Sequence, residues 1–431
     1  MRVVVHPSVI AGEAAAPPSK SYTHRAIVCG LLSNGSSTIS NPLYCDDTKA
    51  TMRICEMMGA DIQQDTTIRI KGPNQLKAPA SEMDCKGSGT TLRIFCALSA
   101  LVDGKCVLTG DITLRQRPIG PLVSALRQLG VNTRFLGKAG RPPVQILGRG
   151  FIKGGKVTVP GNISSQYITA LLFACSKARE STTIRIEGNL ESQPYVRMSL
   201  AIMDQFGVKT RVSNDWNQIL VPGNQSYQSR HYEVEGDYSS ASFLLAAGAL
   251  AGDVAVSGLR RRTLQGDAKF LRIIQKMGAC VRFASDVSVK KDDMNGVIVD
   301  VSNVPDLVPI LAVIATQANG TTRIVNAARL RLKESDRLAS ISQELRKMGG
   351  DIEQVEDGMT IRGPSRLRGR ILDSHRDHRI AMAGIVAGLV ADDTTVVRDV
   401  ECIKKSYPSF ISDIRSIGGR VELIHDNGIG G

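Results

Sequence analysis

The chain has few aromatic residues and no long apolar run. Phe, Trp and Tyr together make up 4% of its 431 residues, and Trp occurs once. Proteins that bind nucleic-acid strands usually stack bases on aromatic side chains, so this scarcity disfavours that class. No segment approaches the roughly 18 successive apolar residues of a membrane span, and the N-terminus carries neither a secretory nor a transit signal. We therefore expect no nucleic acid and no membrane among its partners.

Cysteine patterns that would indicate disulfides or metal are also missing. The nine cysteines include no Cys-x-x-Cys pair and no Cys/His spacing of a zinc site. They predict reduced, mostly buried thiols in a cytoplasmic protein. His375 and His378 stand three residues apart, but the neighbouring Arg376 and Arg379 oppose a divalent cation. We predict that the protein uses no metal and no cofactor.

The charge balance is basic, because 54 Lys and Arg stand against 41 Asp and Glu, a net charge of +13. Such an excess fits nucleic acid, an anionic surface or small anionic substrates. No block of five or more like charges occurs, so small anions are favoured. The alternative from another class is a basic nucleic-acid-binding protein of repeated α/β units. It would carry its cations along one outer face and bind with a steep salt dependence.

One pattern recurs six times: a helix that ends in a hydrophobic residue and Gly, followed by a strand. The glycines are spaced 69–77 residues apart, at Gly59, Gly130, Gly207, Gly278, Gly349 and Gly418. Gly just beyond a helix is the common left-handed C-terminal cap. The alternating, β-branched residues after it, as in 131–135, favour a strand.

Six further helices are predicted between these, each with a polar or small-residue start and an apolar body. They begin at Ser19, Gly87, Ser164, Asp237, Val304 and about Asp377. Because their bodies are apolar nearly all round, we expect them to be buried. Each repeat then contains a buried helix, a strand, an amphipathic helix and two strands. A chain of this length divides into two α/β domains of three repeats each, with the division near 229–233.

In the first half of the chain, cationic side chains, hydroxyl groups and glycine are concentrated at the predicted helix starts. These groups are Lys20, Ser21 and Arg25; the Gly-rich stretch 86–91 with Gly89; Arg115 and Arg117 before a Pro-initiated helix; and Ser164, Ser165 and Gln166. Free amides and the positive end of the dipole attract anions at a helix start, and Arg suits carboxylate and phosphate. Taken alone, each group is equally consistent with an ordinary capped helix. Together they favour a site for two multiply charged anions.

The densest charged group lies at 329–338. On a helix, Lys333 and Arg337 would be a like-charge i, i+4 pair, and Glu334 would bridge to Arg337 at i, i+3. A surface helix with ion pairs along its exposed face accounts for that bridge, but the surplus of cations favours an anionic ligand. Asp306 stands where an apolar helix begins, a favourable N-cap, and joins Glu334 as a candidate for proton transfer.

Two cations near the C-terminus complete the candidate set. Arg379 stands at the start of the sixth buried helix, and Lys405 stands before a further helix start. Arg379 is favoured as an anion clamp, whereas Lys405 also fits a solvated surface pair. With two carboxyl groups and no metal motif, the chemistry indicated is acid–base catalysis with electrostatic stabilisation.

Eight motifs occur in one order along nearly the whole chain. They are Pro-Ser-Lys-Ser-x-x-x-Arg (18–25), Gly-Ser-Gly-Thr-Thr-Leu-Arg (87–93), Arg-Pro-Ile-Gly (117–120), Ser-Ser-Gln-Tyr (164–167), Glu-Gly-Asp-Tyr-Ser-Ser-Ala-Ser (235–242), Lys-Glu-Ser-Asp-Arg (333–337), Asp-His-Arg-Ile-Ala-Met (377–382) and Lys-Ser-Tyr-Pro (405–408). This ordered set resembles the 5-enolpyruvylshikimate-3-phosphate (EPSP) synthase family, the 3-phosphoshikimate 1-carboxyvinyltransferases.

The resemblance implies two inside-out α/β domains of pseudo-threefold design, built from six βαβαββ-type repeats and joined by a two-strand hinge. One domain would comprise 1–18 and 233–431, with the N-terminal strand added to repeats four to six. The other would comprise 19–232, with repeats one to three, and the active site would lie in the cleft between them. The repeats alone do not indicate the first crossover.

The resemblance also implies roles for individual residues. Shikimate 3-phosphate would be held by Lys20, Ser21, Arg25, Ser164, Ser165, Gln166, Ser192, Asp306 and Lys333. Phosphoenolpyruvate would be held by Lys20, Gly89, Arg117, Gln166, Arg337, Arg379 and Lys405. Lys20, Asp306 and Glu334 match residues that transfer protons, and the sequence leaves open which performs each step. We expect a monomer.

The implied reaction adds the shikimate 5-hydroxyl to C2 of phosphoenolpyruvate while C3 gains a proton, and the tetrahedral adduct then expels phosphate and loses that proton. The alternative is the sister activity, transfer of enolpyruvate to UDP-N-acetylglucosamine. Enzymes of that kind normally carry a Cys in the loop ahead of the Arg-Pro motif. Here 110–116 contains none, which favours the shikimate ester as acceptor.

Overall fold

The fold is taken from a computed structural model, which describes residues 1–425. The chain divides into two compact units, unit 1 (1–17 and 236–431) and unit 2 (18–235). Each unit has its own hydrophobic core, unit 1 from Val3 to Val421 and unit 2 from Tyr22 to Val234. Among residues 1–425, no helix has both the length and the apolar character needed to cross a membrane.

The α-helices of residues 1–425 are α1 (Lys20–Leu32), α2 (Asp46–Met57), α3 (Gly89–Leu98), α4 (Ile112–Arg115), α5 (Gly120–Gln128), α6 (Ser165–Cys175), α7 (Gln193–Gln205), α8 (Tyr238–Ala251), α9 (Lys269–Met277), α10 (Val308–Gln317), α11 (Arg337–Lys347), α12 (His378–Leu389) and α13 (Phe410–Ser416). Short 3₁₀ helices span Ser99–Leu101, Gly266–Ala268, Pro305–Leu307, Ala328–Leu332 and Val400–Lys405.

The strands of the first half are β1 (Arg2–Val5), β2 (Ile10–Ala15), β3 (Ser33–Asn34), β4 (Ser36–Ser40), β5 (Asp61–Gln64), β6 (Ile68–Lys71), β7 (Met83–Asp84), β8 (Asp103–Thr109), β9 (Asn132–Phe135), β10 (Val144–Arg149), β11 (Gly155–Pro160), β12 (Thr182–Glu187), β13 (Arg211–Val212) and β14 (Gln218–Val221). The remaining strands are β15 (Tyr227–Gln228), β16 (His231–Glu233), β17 (Gly252–Ser257), β18 (Cys280–Phe283), β19 (Val287–Lys290), β20 (Ile298–Asp300), β21 (Gly320–Val325), β22 (Asp351–Val355), β23 (Gly358–Gly363), β24 (Ile371–Asp373), β25 (Thr395–Arg398) and β26 (Val421–Ile424).

Among residues 1–425, six four-stranded sheets share one topology. Their orders are β16-β4-β6-β5, β7-β8-β10-β9 and β11-β12-β14-β13 in unit 2, and β2-β17-β19-β18, β20-β21-β23-β22 and β24-β25-β1-β26 in unit 1. In every sheet the first pair is parallel and the next two are antiparallel. A helix connects each parallel pair that is continuous in sequence, as a parallel crossover requires. The predicted six-repeat α/β fold is confirmed.

The predicted buried helices are α1, α3, α6, α8, α10 and α12. In α8 every residue from Tyr238 to Leu250 is buried, as its uniformly apolar sequence predicts. In unit 1 the helices α8, α10 and α12 contact one another, and in unit 2 α3 contacts α6 while α7 packs against both α1 and α6. The sheets therefore lie outside a helical interior in each unit.

The amphipathic helices α2, α5, α7, α9, α11 and α13 end one or two residues before the six predicted glycines. All six glycines have left-handed φ values between +78° and +119°, which a residue with a Cβ adopts only with strain. The predicted C-terminal caps are confirmed.

The N-terminal strands belong to unit 1. Arg2–Val5 is an inner strand, paired with β25 on one side and β26 on the other, and Ile10–Ala15 pairs in parallel with β17. In unit 2 the strand His231–Glu233 pairs in parallel with β4. Each unit is thus completed by a strand from a distant part of the chain, and the polypeptide passes from one unit to the other at 17–18 and again at 235–236.

Candidate active site

In unit 2, the starts of two buried helices lie side by side. Gln166, the second residue of α6, donates its Nε2 to Oγ1 of Thr90, the second residue of α3, at 3.0 Å. Ser164 caps α6 by accepting from the Gln166 amide, and Ser88 caps α3 by accepting from the Thr91 amide. The amide-rich, electropositive ends of the two helices are therefore together, a favourable place for an anion.

Lys20 is the first residue of α1, and it pairs with a carboxylate that sequence reasoning did not identify. Its Nζ lies 3.0 Å from Oδ2 of Asp47, in the first turn of α2. Asp47 is buried, and within residues 1–425 its other oxygen, Oδ1, has no hydrogen-bond partner. Asp47 therefore fixes the half-buried ammonium of Lys20 at the helix start.

A chain of buried side chains connects α1, α2 and α3 beneath this ion pair. Nδ1 of His24 lies 2.7 Å from Oγ1 of Thr51, which lies 2.7 Å from Oγ1 of Thr91. Burial, and then the charges of Lys20 and Arg25, hold the pKa of His24 well below its usual value. His24 is thus a neutral member of a buried hydrogen-bonded chain that joins α1, α2 and α3.

Gly89, the first residue of α3, makes room for two guanidinium groups. A Cβ on Gly89 would lie 2.5 Å from Nη1 of Arg93 and 2.6 Å from Nη1 of Arg117. Both arginines are buried, and Arg93 donates to the carbonyl oxygens of Gly89 and Pro118, each at 3.0 Å. The missing side chain of Gly89 therefore lets two fixed cations approach the start of α3, where a phosphate or carboxylate is favoured.

The guanidinium of Arg25 donates hydrogen bonds to three residues. Its Nε donates to Oγ of Ser199 at 2.9 Å, its Nη1 to the carbonyl of Ser21 and its Nη2 to the carbonyl of Tyr195. Burial lowers its pKa to about 10, so it stays charged at neutral pH. In this position Arg25 connects α1 to α7.

The predicted serines of unit 2 occupy helix starts. Ser165 is the buried first residue of α6, and Ser192 is the N-cap residue of α7 with a left-handed φ of +52°. Arg115 ends α4, and α5 begins at Gly120 with Pro121 in its first turn. The helix predicted after Arg117 therefore begins three residues beyond it, and Pro118 precedes that helix.

In unit 1, the buried guanidinium of Arg337 binds three carboxylates. Its Nη1 donates to Asp306 at 2.7 Å, its Nη2 to Glu334 at 2.8 Å and its Nε to Asp377 at 2.7 Å. Arg337 is 1% exposed. Although burial disfavours its charge, Asp377, Glu334 and Asp306 raise its pKa. The two carboxylates predicted for proton transfer, Asp306 and Glu334, are thus brought to one cation.

Asp306 is also surrounded by two further cations. Its Oδ1 lies 3.5 Å from Nζ of Lys333, and its Oδ2 lies 3.4 Å from Nη2 of Arg379. Burial opposes ionisation of Asp306, but Arg379, Lys333 and Arg337 outweigh it and hold the pKa well below its usual value. Burial, and the charges of Arg337 and Arg329, lower the pKa of Lys333 to about 8 despite the opposing pull of Asp306.

Arg379 joins the starts of the three buried helices of unit 1. It is the second residue of α12, and its Nη2 donates to Oγ of Ser239, the second residue of α8, at 2.6 Å. Its Nη1 donates to the carbonyl of Asp306, in the 3₁₀ turn before α10, at 3.1 Å. Asp377 caps α12 by accepting from the Arg379 amide. Lys405 is half-buried at the end of a 3₁₀ helix that packs against α12.

Two local predictions for this group are wrong. Lys333 and Glu334 precede α11, which begins at Arg337 because Asp336 caps it by accepting from the Ala339 amide. The like-charge helical pair of Lys333 with Arg337 therefore does not exist; both contact Asp306 instead. Asp306 is not an N-cap residue: it lies inside the 3₁₀ helix Pro305–Leu307, whose N-cap residue is Val304, and its carboxylate binds Arg337. The bridge from Glu334 to Arg337 is confirmed.

Three residues of these clusters were not assigned to the site from the sequence. Asp47 pairs with Lys20, Asp377 pairs with Arg337, and Ser239 binds Arg379. Each stands at or beside a helix N-terminus, and Asp377 and Ser239 lie inside quoted motifs, which was the available signal. Within the part of the chain that the structure describes, no three His, Cys, Asp or Glu side chains are grouped as metal ligands.

Comparisons with known proteins agree with this architecture. The family model of EPSP synthase (3-phosphoshikimate 1-carboxyvinyltransferase) matches residues 4–414. The 3-phosphoshikimate 1-carboxyvinyltransferase of Methanocorpusculum labreanum is 42% identical over 97% of this chain and 99% of its own, and that of Methanocaldococcus jannaschii is 41% identical over 95% and 96%. The solved EPSP synthase of Acinetobacter baumannii superposes with a TM-score of 0.83 at 27% identity, covering 98% of this chain and 100% of its own.

The fold and the family match define an enzyme class, the two-unit, six-repeat α/β transferases. Within that class, the chain belongs to the EPSP synthase family.

Proposed function

We propose that this chain transfers the enolpyruvyl group of phosphoenolpyruvate to the 5-hydroxyl of shikimate 3-phosphate, releasing inorganic phosphate. The observation that carries the proposal is the cluster around Arg337, where Asp306 and Glu334 are held at 2.7 and 2.8 Å beside Lys333 and Arg379. Two carboxylates in a cationic setting suit proton transfers on anionic substrates, and family membership supports the choice of substrates.

Asp306 enters the reaction ionised, since its surrounding cations hold its pKa low. It therefore accepts a proton before it can donate one, which suits removal of the proton from the attacking hydroxyl. Substrate phosphate and carboxylate would draw Lys333 and Arg379 toward themselves, and Asp306 would become more basic as a result. Lys20 and Glu334 are the remaining candidates for delivering a proton to C3 and taking it back.

We assign shikimate 3-phosphate to Lys20, Ser21, Arg25, Ser164, Ser165, Gln166, Ser192, Asp306 and Lys333. We assign phosphoenolpyruvate to Lys20, Gly89, Arg117, Gln166, Arg337, Arg379 and Lys405. The paired guanidinium groups at Gly89 and the joined helix starts of α3 and α6 support this assignment, because phosphate and carboxylate are bound best by forked donors and free amides.

The reaction belongs to the shikimate pathway of chorismate and aromatic amino-acid biosynthesis. We propose a cytoplasmic, monomeric enzyme. All nine cysteines are free thiols, which is the usual state of cysteine in a reducing compartment. Sedimentation equilibrium at micromolar concentration tests the monomer, and a mass twice that of the chain would contradict it.

The test is release of inorganic phosphate from phosphoenolpyruvate with shikimate 3-phosphate, with UDP-N-acetylglucosamine and with no acceptor. We expect release only with the shikimate ester. We also expect Glu334→Ala and Lys20→Ala to lose nearly all activity, since each removes a group that holds or moves a proton. Glu82→Ala and Lys105→Ala, which change exposed residues of the same types, are the matched controls and should retain wild-type rates.

Thermal unfolding of each variant checks that the fold is intact. Release without any acceptor, release with UDP-N-acetylglucosamine alone, or full activity in both Glu334→Ala and Lys20→Ala would reject the proposed function. Strong, salt-sensitive retention of nucleic acid on filters in place of phosphate release would favour the nucleic-acid-binding alternative.

A further inference from the structure

Glu344 is a buried carboxylate on α11 that binds the loop leading into α12, and it is 2% exposed. Its Oε1 lies 2.8 Å from Nε2 of His375, and its Oε2 accepts from the backbone amide of Asp373 at 3.0 Å. Lys347, one turn further along α11, donates to both carboxylate oxygens at 2.9 and 2.7 Å. Neither Glu344 nor His375 belongs to the site residues assigned above. Their contacts attach the loop 373–377 to α11.

The same loop is attached to α11 at a second point. Asp377, its last residue, accepts from Nε of Arg337, the first residue of α11, at 2.7 Å. Arg337 and Glu344 are seven residues apart, which is nearly two helical turns, so they lie on one face of α11 about 10 Å apart along its axis. The loop therefore runs along this face and is held at both of its ends.

The backbone of the loop is bent into a conformation that needs support. His375 and Arg376 have left-handed φ values of +51° and +54°, which residues with a Cβ retain only where surrounding contacts impose them. Asp373 accepts from the His375 amide at 2.6 Å, and Ser374 accepts from the Arg376 amide at 3.1 Å. These bonds shape the loop internally, whereas Glu344 fixes the bent loop to the helix.

The position of Asp377 matters for the candidate site. Besides binding Arg337, Asp377 accepts from the Arg379 amide at 2.9 Å and so caps α12. Arg337 and Arg379 are both assigned to phosphoenolpyruvate in the proposed function. A shift of the loop would therefore move two of the cations that bind this substrate.

We propose that Glu344 and His375 are positioning residues that hold Asp377 in place for the binding of phosphoenolpyruvate. The inference rests on the proposed function, in which Arg337 and Arg379 bind that substrate. Loss of the contact between Glu344 and His375 should raise KM for phosphoenolpyruvate more than KM for shikimate 3-phosphate.

The contact depends on pH through His375. Its hydrogen bond to Glu344 raises the pKa of His375, although burial opposes the charged form. The other charged groups that act on the ring are Asp373, which adds to the rise, and Lys347, which reduces it. Below its pKa the imidazolium makes a charge-assisted bond, which is stronger than the bond of the neutral ring above it. The contact is therefore strongest at low pH and weakens as the pH rises through the pKa of His375.

The experiment measures KM for both substrates in the wild type, Glu344→Gln, His375→Asn and the double variant between pH 6 and pH 9. Asn tolerates a left-handed backbone but is too short to reach Glu344, so His375→Asn removes the contact without adding strain. At pH 6.5 we expect KM for phosphoenolpyruvate to rise about three- to tenfold in each single variant, the worth of one positioning hydrogen bond. The double variant should be no worse than the poorer single variant, because both residues act through one contact.

The pH profile separates positioning from a general structural effect. Substrate phosphate also titrates near pH 6, so the readout is the ratio of variant to wild-type KM at each pH. For His375→Asn this ratio should fall as the pH rises through the pKa of His375, since the wild type then loses the charge-assisted bond itself. A merely structural defect would give a ratio independent of pH.

NMR of the labelled histidines, six in this chain, gives a readout that requires no turnover. The imidazole signal that is missing in His375→Asn identifies His375. In the wild type this signal should titrate above the usual pKa of histidine, and in Glu344→Gln it should titrate at a lower pH. A titration of His375 that Glu344→Gln leaves unchanged would contradict the contact.

Glu353→Gln and His231→Asn, which make the same changes at exposed positions, are the matched controls and should retain wild-type KM values. Thermal unfolding checks each variant, and His375→Asn tests the proposal should Glu344→Gln fail to fold. Wild-type KM for phosphoenolpyruvate in both single variants would overturn the proposal. Equal rises in KM for the two substrates, or effects that multiply in the double variant, would do the same.

Failure of the proposed function gives a different result. A wild type that releases no phosphate from phosphoenolpyruvate rejects the proposed function and the positioning role with it, whatever the NMR titration shows. A wild type that turns over, together with unchanged KM in both single variants, rejects only the role of Glu344 and His375.

Discussion

Arg337 shows how one buried side chain can hold a cluster of like charges. Its three nitrogens bind three carboxylates, and two of those, Asp306 and Glu334, are the proton-transfer candidates. Without this guanidinium the three largely buried carboxylates would repel one another. We therefore expect the cation to stabilise the fold, in addition to any role with substrate.

Replacement of Arg337 by Ala should cost about 3–5 kcal/mol of unfolding free energy, because it leaves buried carboxylates without their partner. Urea unfolding at pH 7.5 measures the loss. Arg362→Ala is the matched control: Arg362 also pairs with two carboxylates, Asp351 and Glu353, but on the exposed surface. Arg362→Ala should lose far less unfolding free energy, because solvent screens exposed ion pairs. Equal losses in the two variants would contradict the argument.

The lowered pKa of Lys333 predicts that binding of shikimate 3-phosphate depends on pH. Because its pKa is lowered to about 8, it is charged below that pH and loses its proton above it. KM for shikimate 3-phosphate should therefore rise above pH 8, by at most about tenfold per pH unit for a single proton lost. Lys333→Arg stays charged and should abolish the rise, whereas Lys290→Arg, at an exposed site, should retain it. A wild-type KM that is flat from pH 7 to pH 10 would refute this role.

Local patterns predicted part of this chemistry and missed the rest for a physical reason. The bridge between Glu334 and Arg337 spans three residues, so it was visible in the sequence. The partners Asp47 of Lys20, Asp377 of Arg337 and Ser239 of Arg379 lie 27, 40 and 140 residues away. Contacts of that range depend on how helices pack, which no local spacing encodes.

At the scale of elements, caps and glycines were the reliable signals. The predicted starts Ser164, Asp237 and Asp377 are N-cap residues whose side chains accept a backbone amide of the first turn. Ser19 occupies the N-cap position of α1 without a side-chain cap bond. These positions were predictable because capping is satisfied within a few residues.

The six glycine caps are not equivalent, and two in unit 1 make a matched pair. Gly349 has φ +100°, and a Cβ there would lie 3.3 Å from the nearest backbone oxygen; Gly278 has φ +119°, and its Cβ would lie 2.5 Å from the Asp293 oxygen. Gly349→Ala should cost about 1–2 kcal/mol, the price of a left-handed residue with a Cβ. Gly278→Ala should cost clearly more, because backbone must also move.

Urea unfolding followed by circular dichroism compares the two variants in the same unit. A similar loss in both would mean that the close approach at Gly278 relaxes without cost. No loss in Gly349→Ala would contradict the strain assigned to the left-handed conformation itself.

At the scale of the whole molecule, the repeats predicted the second crossover and not the first. Six similar glycine caps reveal how many repeats there are, but strand partners can lie anywhere along the chain. β1 pairs with β25 and β26, which lie near the other end of the chain, and β2 pairs with β17. The assignment of the first residues to the second half came from the resemblance, since short apolar strands carry no mark of their partner.

Because unit 1 takes β1 and β2 from the N-terminal end of the chain, the two units should fold differently when the chain is truncated. Unit 2 draws every strand of its sheets and its whole core from residues 18–235, so a fragment of those residues should fold and unfold cooperatively, as reported by the fluorescence of Trp216. Unit 1 needs Arg2–Val5 as an inner strand of its last sheet. A chain that begins at residue 18 should therefore keep the Trp216 transition and lose the cooperative unfolding of unit 1, because β25 and β26 are left without the strand that joins them. An unfolded fragment 18–235 would show that unit 2 does not fold independently. An intact second transition in the chain without residues 1–17 would show that unit 1 does not need Arg2–Val5.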